Sequence, residues 1–72
     1  MTPTLYQQLI CARRELGLRH SVYPGLVQRG KLTQEKARFE IDAMTAIAAT
    51  LQQLCEAEGT DFQQPLFPGE RP

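Results

Sequence analysis

The stretch from Thr33 to Glu58 repeats apolar side chains with a helical period, and this limits the fold more than any other feature of the chain. Nine of its positions form three adjacent rows with a spacing of seven, and eight of the nine are apolar. The rows are Ala37, Met44, Leu51; then Glu40, Ile47, Leu54; then Ile41, Ala48, Cys55. Three apolar positions in seven are typical of a helix packed against partners, whereas a narrow coiled-coil seam uses two.

The ends of this second helix also carry recognisable signals. Thr33 offers a hydroxyl to the free amides of the first turn, Glu35 lies at the positive end of the helix dipole, and Gly59 is a natural stop. The sequence therefore predicts a helix over about residues 33–58.

The first half of the chain predicts another helix, over about residues 3–29. Thr2 or Thr4 with Pro3 fits a helix start, and apolar residues follow at Leu5, Leu9, Ala12 and Leu16. Gly17 and Pro24 weaken the next turns, so we expect a kink or local break between them. A true break near residues 19–21, giving three helices, is the alternative.

Gly30, Lys31 and Leu32 leave room only for a reversal between these helices. The fold class is thus an all-α antiparallel hairpin over residues 1–59, with an extended tail over 60–72. A single hairpin has one interface, so we expect a homodimer that forms a four-helix bundle. The expected dimer or core residues are Ile41, Met44, Ile47, Leu51 and Leu54. Small residues elsewhere on the second helix would let another helix approach: Ala43, Ala46, Ala49, Thr50 and Ala57.

A chain of 72 residues buries a small fraction of its surface, and a partner chain would supplement its core. Cys11 and Cys55 form no CxxC motif, and we interpret both as buried free thiols rather than a redox pair. No apolar run reaches the roughly 18 residues of a membrane span. We therefore predict a cytoplasmic protein with no membrane contact.

The formal net charge of zero conceals a split along the chain. Residues 1–38 carry seven Lys or Arg against two carboxylates, a net +5, whereas residues 39–72 carry one Arg against six carboxylates, a net −5. This asymmetry fits either a basic binding surface or two halves that attract each other, and we favour the second. The residues that would contact nucleic acid near the turn are Arg19, Arg29, Lys31 and Arg38.

Groups for catalysis are few. The chain has one histidine, His20, which we interpret as exposed or at a bundle end, and no glycine-rich phosphate loop, HExxH motif or nucleophile elbow. We predict no enzyme activity, no cofactor and no metal site.

Residues 19–33 read RHSVYPGLVQRGKLT and are followed by Ala37, Glu40, Ile41, Met44, Ile47 and Leu51. This run resembles small phage and prophage proteins of proteobacteria that share a pattern close to R-x-x-V-Y-P-x-L-V-x-x-G-K-L-T. The resemblance covers about residues 16–54 and implies a phage-like origin without a known activity.

The tail contains Gln63-Gln64-Pro65-Leu66-Phe67, which resembles the Q-L-x-L-F peptide with which bacterial replication factors bind the sliding clamp. The resemblance implies that Gln63 anchors the peptide and that Leu66 and Phe67 fill the apolar pocket of the clamp. Gln64 departs from the usual leucine. The alternative is that Leu66 and Phe67 fold back over the open end of the bundle.

Together these features predict a non-enzymatic, dimeric, phage-like interaction protein. The concrete hypothesis is a protein that binds the sliding clamp through Gln63, Leu66 and Phe67. The alternatives are a nucleic-acid-binding accessory protein that uses the basic turn and a purely structural assembly protein.

Overall fold

A computed structural model of the chain describes residues 2–59. Within this range the chain forms two helices, α1 over Leu5–Gln28 and α2 over Gln34–Glu58, which pack against each other as an antiparallel hairpin. The predicted all-α hairpin is confirmed.

Both helices begin at threonine caps. The Thr4 hydroxyl accepts a hydrogen bond of 3.1 Å from the backbone N–H of Gln7, and the Gln7 side chain accepts one of 3.0 Å from the backbone N–H of Thr4. This reciprocal pair satisfies two amides that the helix start leaves free. Thr33 caps α2 by accepting from the backbone N–H of Lys36 at 3.1 Å. Of the two threonines considered for the first helix, Thr4 is therefore the cap.

Helix α1 runs without a break from Leu5 to Gln28 and contains Pro24. The three-helix alternative, with a true break near residues 19–21, is therefore wrong, and so is a local break between Gly17 and Pro24; a kink between these two residues stays a prediction. Pro24 cannot donate to the carbonyl of His20 one turn earlier. Because both residues are exposed, water can satisfy that carbonyl and the helix can continue through the proline.

The reversal after α1 is closed by two backbone hydrogen bonds. The Gly30 N–H donates to the carbonyl of Val27 at 3.0 Å, and the Lys31 N–H donates to the carbonyl of Leu26 at 2.9 Å. These are the two bonds of a Schellman motif, which needs a residue with positive φ. Gly30 provides it with a φ of 73°. The expected short reversal at Gly30 is therefore a defined helix stop.

The two helices meet along a seam whose residues recur at alternating intervals of four and three. This spacing keeps one stripe of each helix turned towards the other. All the buried residues of the described chain, Leu9, Ala12, Ala37, Met44, Ala48 and Cys55, belong to it. On α1 the seam comprises Leu5, Leu9, Ala12, Leu16, Arg19, Tyr23 and Leu26; on α2 it comprises Ala37, Ile41, Met44, Ala48, Leu51 and Cys55.

The seam holds a small core. Ala12, Met44 and Ala48 form its buried cluster, with Leu16 and Leu51 packed against them. Alanine side chains bury little apolar surface, so the stabilisation from this single interface is modest. A hairpin of this composition would gain from covering further apolar surface.

Candidate functional site: an apolar face of the hairpin

Four large apolar side chains remain substantially exposed on one side of the hairpin. The exposed fractions are 52% for Leu18 and 47% for Val22 on α1, and 48% for Ile47 and 46% for Leu54 on α2. In soluble domains, a cluster of exposed apolar side chains is more informative than single ones scattered over the surface. This side is hereafter called the apolar face, and it comprises Cys11, Leu18, Val22, Ala43, Ile47, Thr50 and Leu54.

Helical spacing explains why these residues lie together. On α1, Cys11, Glu15, Leu18 and Val22 form a row in which each residue directly precedes a seam residue, and all but Glu15 are apolar. On α2, the row of Ala43, Ile47, Thr50 and Leu54 likewise precedes the seam residues Met44, Ala48, Leu51 and Cys55. In an antiparallel pair, rows that precede the seam on both helices fall on the same side of the hairpin.

A shallow groove of about 380 Å³ runs between the two helices within the apolar face. Cys11 and Glu15 line it from α1, and Ile47 and Leu51 line it from α2. The groove confirms that residues of both rows meet on one side. It is open along its length, as expected of a surface that a helix could cover rather than of a closed ligand cavity.

The two cysteines differ in exposure. Cys55 is fully buried in the seam, as predicted, but Cys11 is exposed on the apolar face, so the predicted burial of Cys11 is wrong. The reason is geometric, since Cys11 lies between the seam residues Leu9 and Ala12 and points about 100° away from Ala12. Both thiols are free, as expected.

The five expected dimer or core residues divide into two groups. Met44 is buried, and Ile41 and Leu51 are half-buried along the seam. Ile47 and Leu54 lie instead on the apolar face, because a single partner helix covers only two of the three apolar rows of α2. Phe39, with 66% of its surface exposed, lies at the outer edge of the same face.

Arg19 is the charged residue of the seam, and its guanidinium is engaged inside the hairpin. Its Nε donates a hydrogen bond of 3.0 Å to Oε1 of Glu15, and its Nη1 donates one of 2.8 Å to the backbone carbonyl of Glu40. Its Nη1 also lies 3.8 Å from a carboxylate oxygen of Glu40, and its Cζ lies 6.0 Å from the centre of the Tyr23 ring. The hydrogen bond that Arg19 donates to Glu15 raises the pKa of Arg19 despite a smaller opposing effect of desolvation.

The structure brings only part of the predicted basic cluster to the surface. Arg29, Lys31 and Arg38 are exposed around the turn, whereas Arg19 pairs within the hairpin. The guanidinium of Arg29 folds back beside Gly25, and Arg38 lies on the other side of α2 from the apolar face. The cations therefore surround the turn instead of forming one patch.

The opposite side of the hairpin combines polar groups with apolar ones, among them Pro24 and Val27. The Arg13 guanidinium donates a hydrogen bond to the side-chain oxygen of Gln52 across the two helices, and His20 is exposed. A cleft of about 430 Å³ lies near the turn on this side, and its lining includes Tyr23, Val27, Arg38 and Asp42. Within residues 2–59, no three His, Cys, Asp or Glu side chains converge as a metal ion would require.

Comparisons with known proteins add no further constraint: no family model, curated protein or solved structure matches this chain. The resemblance to phage proteins therefore stays a prediction. The pentapeptide Gln63–Phe67 lies outside the described residues. Neither α1 nor α2 is long and apolar enough to cross a membrane.

Sequence reasoning missed two features whose signals were present. Arg19 follows Ala12 and Leu16 at the seam spacing of four and three, which marks it as an inward residue despite its charge. Cys11, Leu18 and Val22 form a second apolar row on α1, parallel to the seam. If the α1 sequence is divided into the seam row and the row that directly precedes it, the second row predicts the apolar face.

Proposed function

We propose that this chain is a non-enzymatic interaction protein that works as a homodimeric helical bundle. The observation that supports this function is the grouping of the exposed side chains Leu18, Val22, Ile47 and Leu54 on one side of the hairpin. Burying these side chains is favourable at about 25 cal/mol for each Å² of apolar surface.

The size of the apolar face suits a dimer. The 24 residues of α1 extend for about 36 Å, and two helices side by side are about 18 to 20 Å wide. A face of these dimensions covers roughly 700 Å² on each copy, close to the roughly 800 Å² that each partner contributes to a specific protein interface. The small side chain of Thr50, which is exposed on the face, would allow close approach of the second hairpin.

A matched pair of variants tests the dimer. Ile47→Glu places a carboxylate in the middle of the apolar face, and Ala49→Glu places the same group at an exposed position on the other side of α2. We expect size-exclusion chromatography with light scattering to show a dimer for the wild type and for Ala49→Glu, and a monomer for Ile47→Glu. Equal masses for all three proteins would contradict the proposal.

For the tail we propose the bacterial sliding clamp as a partner, on the strength of the pentapeptide sequence. The peptide starts four residues after Gly59, the residue with a φ of 74° that ends α2. Gln63 would donate and accept hydrogen bonds in an extended peptide, and Leu66 and Phe67 would fill an apolar pocket. A phage or prophage origin would suit a protein directed at host replication.

Calorimetric titration of the full chain into purified clamp tests this partner. Replacing Gln63 with Ala, or Leu66 and Phe67 together with Ala, should abolish binding. Gln64→Leu, which restores the residue usual in such peptides, should tighten it. No heat of binding at about 100 µM, with the wild type or with Gln64→Leu, would remove the clamp as a partner and leave the dimer proposal intact.

Nucleic-acid binding by the basic turn is the less favoured alternative. Arg29, Lys31 and Arg38 are exposed, but they lie on different sides of the turn, and Arg19 is already paired. If DNA does bind, its affinity should fall steeply with salt, and Arg29→Ala and Lys31→Ala should weaken it.

A further inference from the structure

The charges at the two ends of the apolar face indicate how a second copy would lie on it. Lys36 is exposed one turn into α2, near the turn of the hairpin, and Glu58 is exposed at the other end of the same helix. Lys36, Glu40, Ala43, Ile47, Thr50 and Leu54 follow the spacing of the apolar face, and Glu58 continues this row by one further turn. Glu40, and Glu15 on the α1 side of the face, already pair with Arg19 inside the hairpin. The face therefore has a cation at one end and an anion at the other.

These two charges are placed symmetrically about Ile47. Lys36 precedes Ile47 by eleven residues and Glu58 follows it by eleven, so each lies about 16 Å from Ile47 along the helix axis. A two-fold axis that passes beside Ile47 at right angles to α2 would place Lys36 of one copy at the same height along the helix axis as Glu58 of the other. In such an isologous contact, Lys36 of each copy lies near Glu58 of the other, so the same ion pair forms twice.

We propose that two copies of the hairpin pair through the apolar face in opposite directions, with α2 antiparallel to α2 of the second copy. Lys36 of each copy then lies opposite Glu58 of the other, and the two Ile47 side chains meet at the centre. This inference rests on the proposed dimer and specifies its orientation.

The same levels bring apolar groups together in this orientation. Leu54 lies seven residues after Ile47, so Leu54 of one copy reaches the level of Glu40 and the exposed Phe39 of the other, seven and eight residues before Ile47. The Glu40 carboxylate is paired with Arg19 of its own hairpin, which leaves Phe39 as the apolar neighbour of Leu54. The small side chains of Ala43 and Thr50, four residues before and three after Ile47, also come to similar levels. Large groups thus meet near the edge, and small groups allow the two helices to approach near the centre.

The opposite arrangement, with both turns at the same end, is disfavoured by charge. It would place Arg29 and Lys36 of one copy beside the same two cations of the other, at the end of the bundle that carries Lys31 as well. Like charges at close range in an interface oppose association, whereas complementary ends direct it. Charge therefore favours the antiparallel orientation over the same-ended one.

Charge reversal distinguishes the two orientations by the sign of its effect. In the antiparallel pair, Lys36→Glu faces Glu58 and should weaken the dimer about tenfold, and Glu58→Lys should do the same. The double variant Lys36→Glu/Glu58→Lys should restore the affinity. Mixing the two single variants should give a heterodimer, because both of its charge contacts are attractive.

The controls carry the same charge changes on the other side of α2. Arg38→Glu and Glu56→Lys are exposed positions away from the apolar face and should leave the dimerisation constant within about twofold. Circular dichroism should show wild-type helicity for every variant. Sedimentation equilibrium at low salt provides the affinities, and the effects should shrink at high salt.

Tighter association of Lys36→Glu, without restoration in the double variant, would overturn the antiparallel orientation in favour of the same-ended dimer. Unchanged affinity in both single variants would also overturn it. A wild-type protein that is monomeric throughout would instead refute the dimer itself, so failure of the orientation and failure of the proposed function give different results.

Discussion

The guanidinium of Arg19 on α1 donates a hydrogen bond of 2.8 Å to the backbone carbonyl oxygen of Glu40 on α2. This contact joins the helices at one level of an otherwise apolar seam, and Glu15 holds the guanidinium from the other side at 3.0 Å. A polar contact of this kind penalises a shift of one helix along the other, because a shift would leave a charge unpaired in the seam. Arg19 therefore helps to set the register of the hairpin.

Replacing Arg19 should lower the thermal stability of the hairpin. We expect Arg19→Ala to lower the midpoint of thermal unfolding by a few degrees, and Arg19→Lys to recover only part of the loss, because lysine cannot donate to Glu15 and Glu40 with the same planar geometry. Arg14→Ala, at an exposed position, is the control. Circular dichroism melts of the three variants test this expectation, which fails if Arg19→Ala melts with the control.

The pH dependence of the Arg19 contribution follows from its raised pKa. A cation whose pKa is higher in the folded state contributes stability below its unfolded pKa and loses it only when the pH rises through the folded value. For arginine this range lies far above neutral pH. The difference in melting midpoint between the wild type and Arg19→Ala should therefore not decline between pH 7 and about pH 10. A decline over this range would indicate that another titrating group supports the contact.

Gly17 offers a stabilising substitution. A Cβ at this position would meet no atom within 4 Å, and the residue lies inside a continuous helix. Gly17→Ala should therefore raise the free energy of unfolding by about 0.5 to 1 kcal/mol. Gly30→Ala should have the opposite effect, a loss of about 1 kcal/mol, because Gly30 has a φ of 73°. Urea denaturation of both variants at one protein concentration measures the change in free energy of unfolding for each. A higher stability of Gly30→Ala would contradict the described turn.

The cap of α1 can be tested with its neighbour as a control. Thr4→Ala removes the hydroxyl that accepts from Gln7 and should lower the free energy of unfolding by about 1 kcal/mol. Thr2→Ala, an exposed position before the helix, should change it by less than about 0.3 kcal/mol. Equal effects of the two substitutions would show that the helix does not start at Thr4.

The two thiols should react at different rates. Cys11 is exposed on the apolar face and should be alkylated readily in dilute protein, whereas Cys55 is 0% exposed and should react only on unfolding. If the apolar face is covered in a dimer, the reaction of Cys11 should slow as the protein concentration rises. Mass spectrometry of iodoacetamide-treated samples resolves the two sites. Equal rates for the two thiols would contradict their described positions.

The hairpin itself could be predicted because its signals are local. The apolar period of α2, the cap at Thr33 and the glycines at 30 and 59 each act over one or two turns, and the structure follows them. Pro24 predicts a break because a proline weakens a helix locally, whereas packing along the whole seam keeps α1 continuous.

The division between core and surface was harder to predict. Three adjacent apolar rows on α2 do not reveal which two face the single partner helix, and Ile47 and Leu54 lie on the row left out. Residue type alone also gives the wrong location for two side chains. Charge places Arg19 at the surface, and the thiol places Cys11 in the interior. In both cases the position along the seam decides, and this becomes clear only when α1 and α2 are aligned with each other.

The molar mass of the wild-type chain in solution tests the central claim most directly. Sedimentation equilibrium over a range from about 1 to 200 µM should show a species of twice the 8.1 kDa chain mass that dissociates on dilution. A constant mass of 8.1 kDa across this range would show that the apolar face of Leu18, Val22, Ile47 and Leu54 does not bind a second copy.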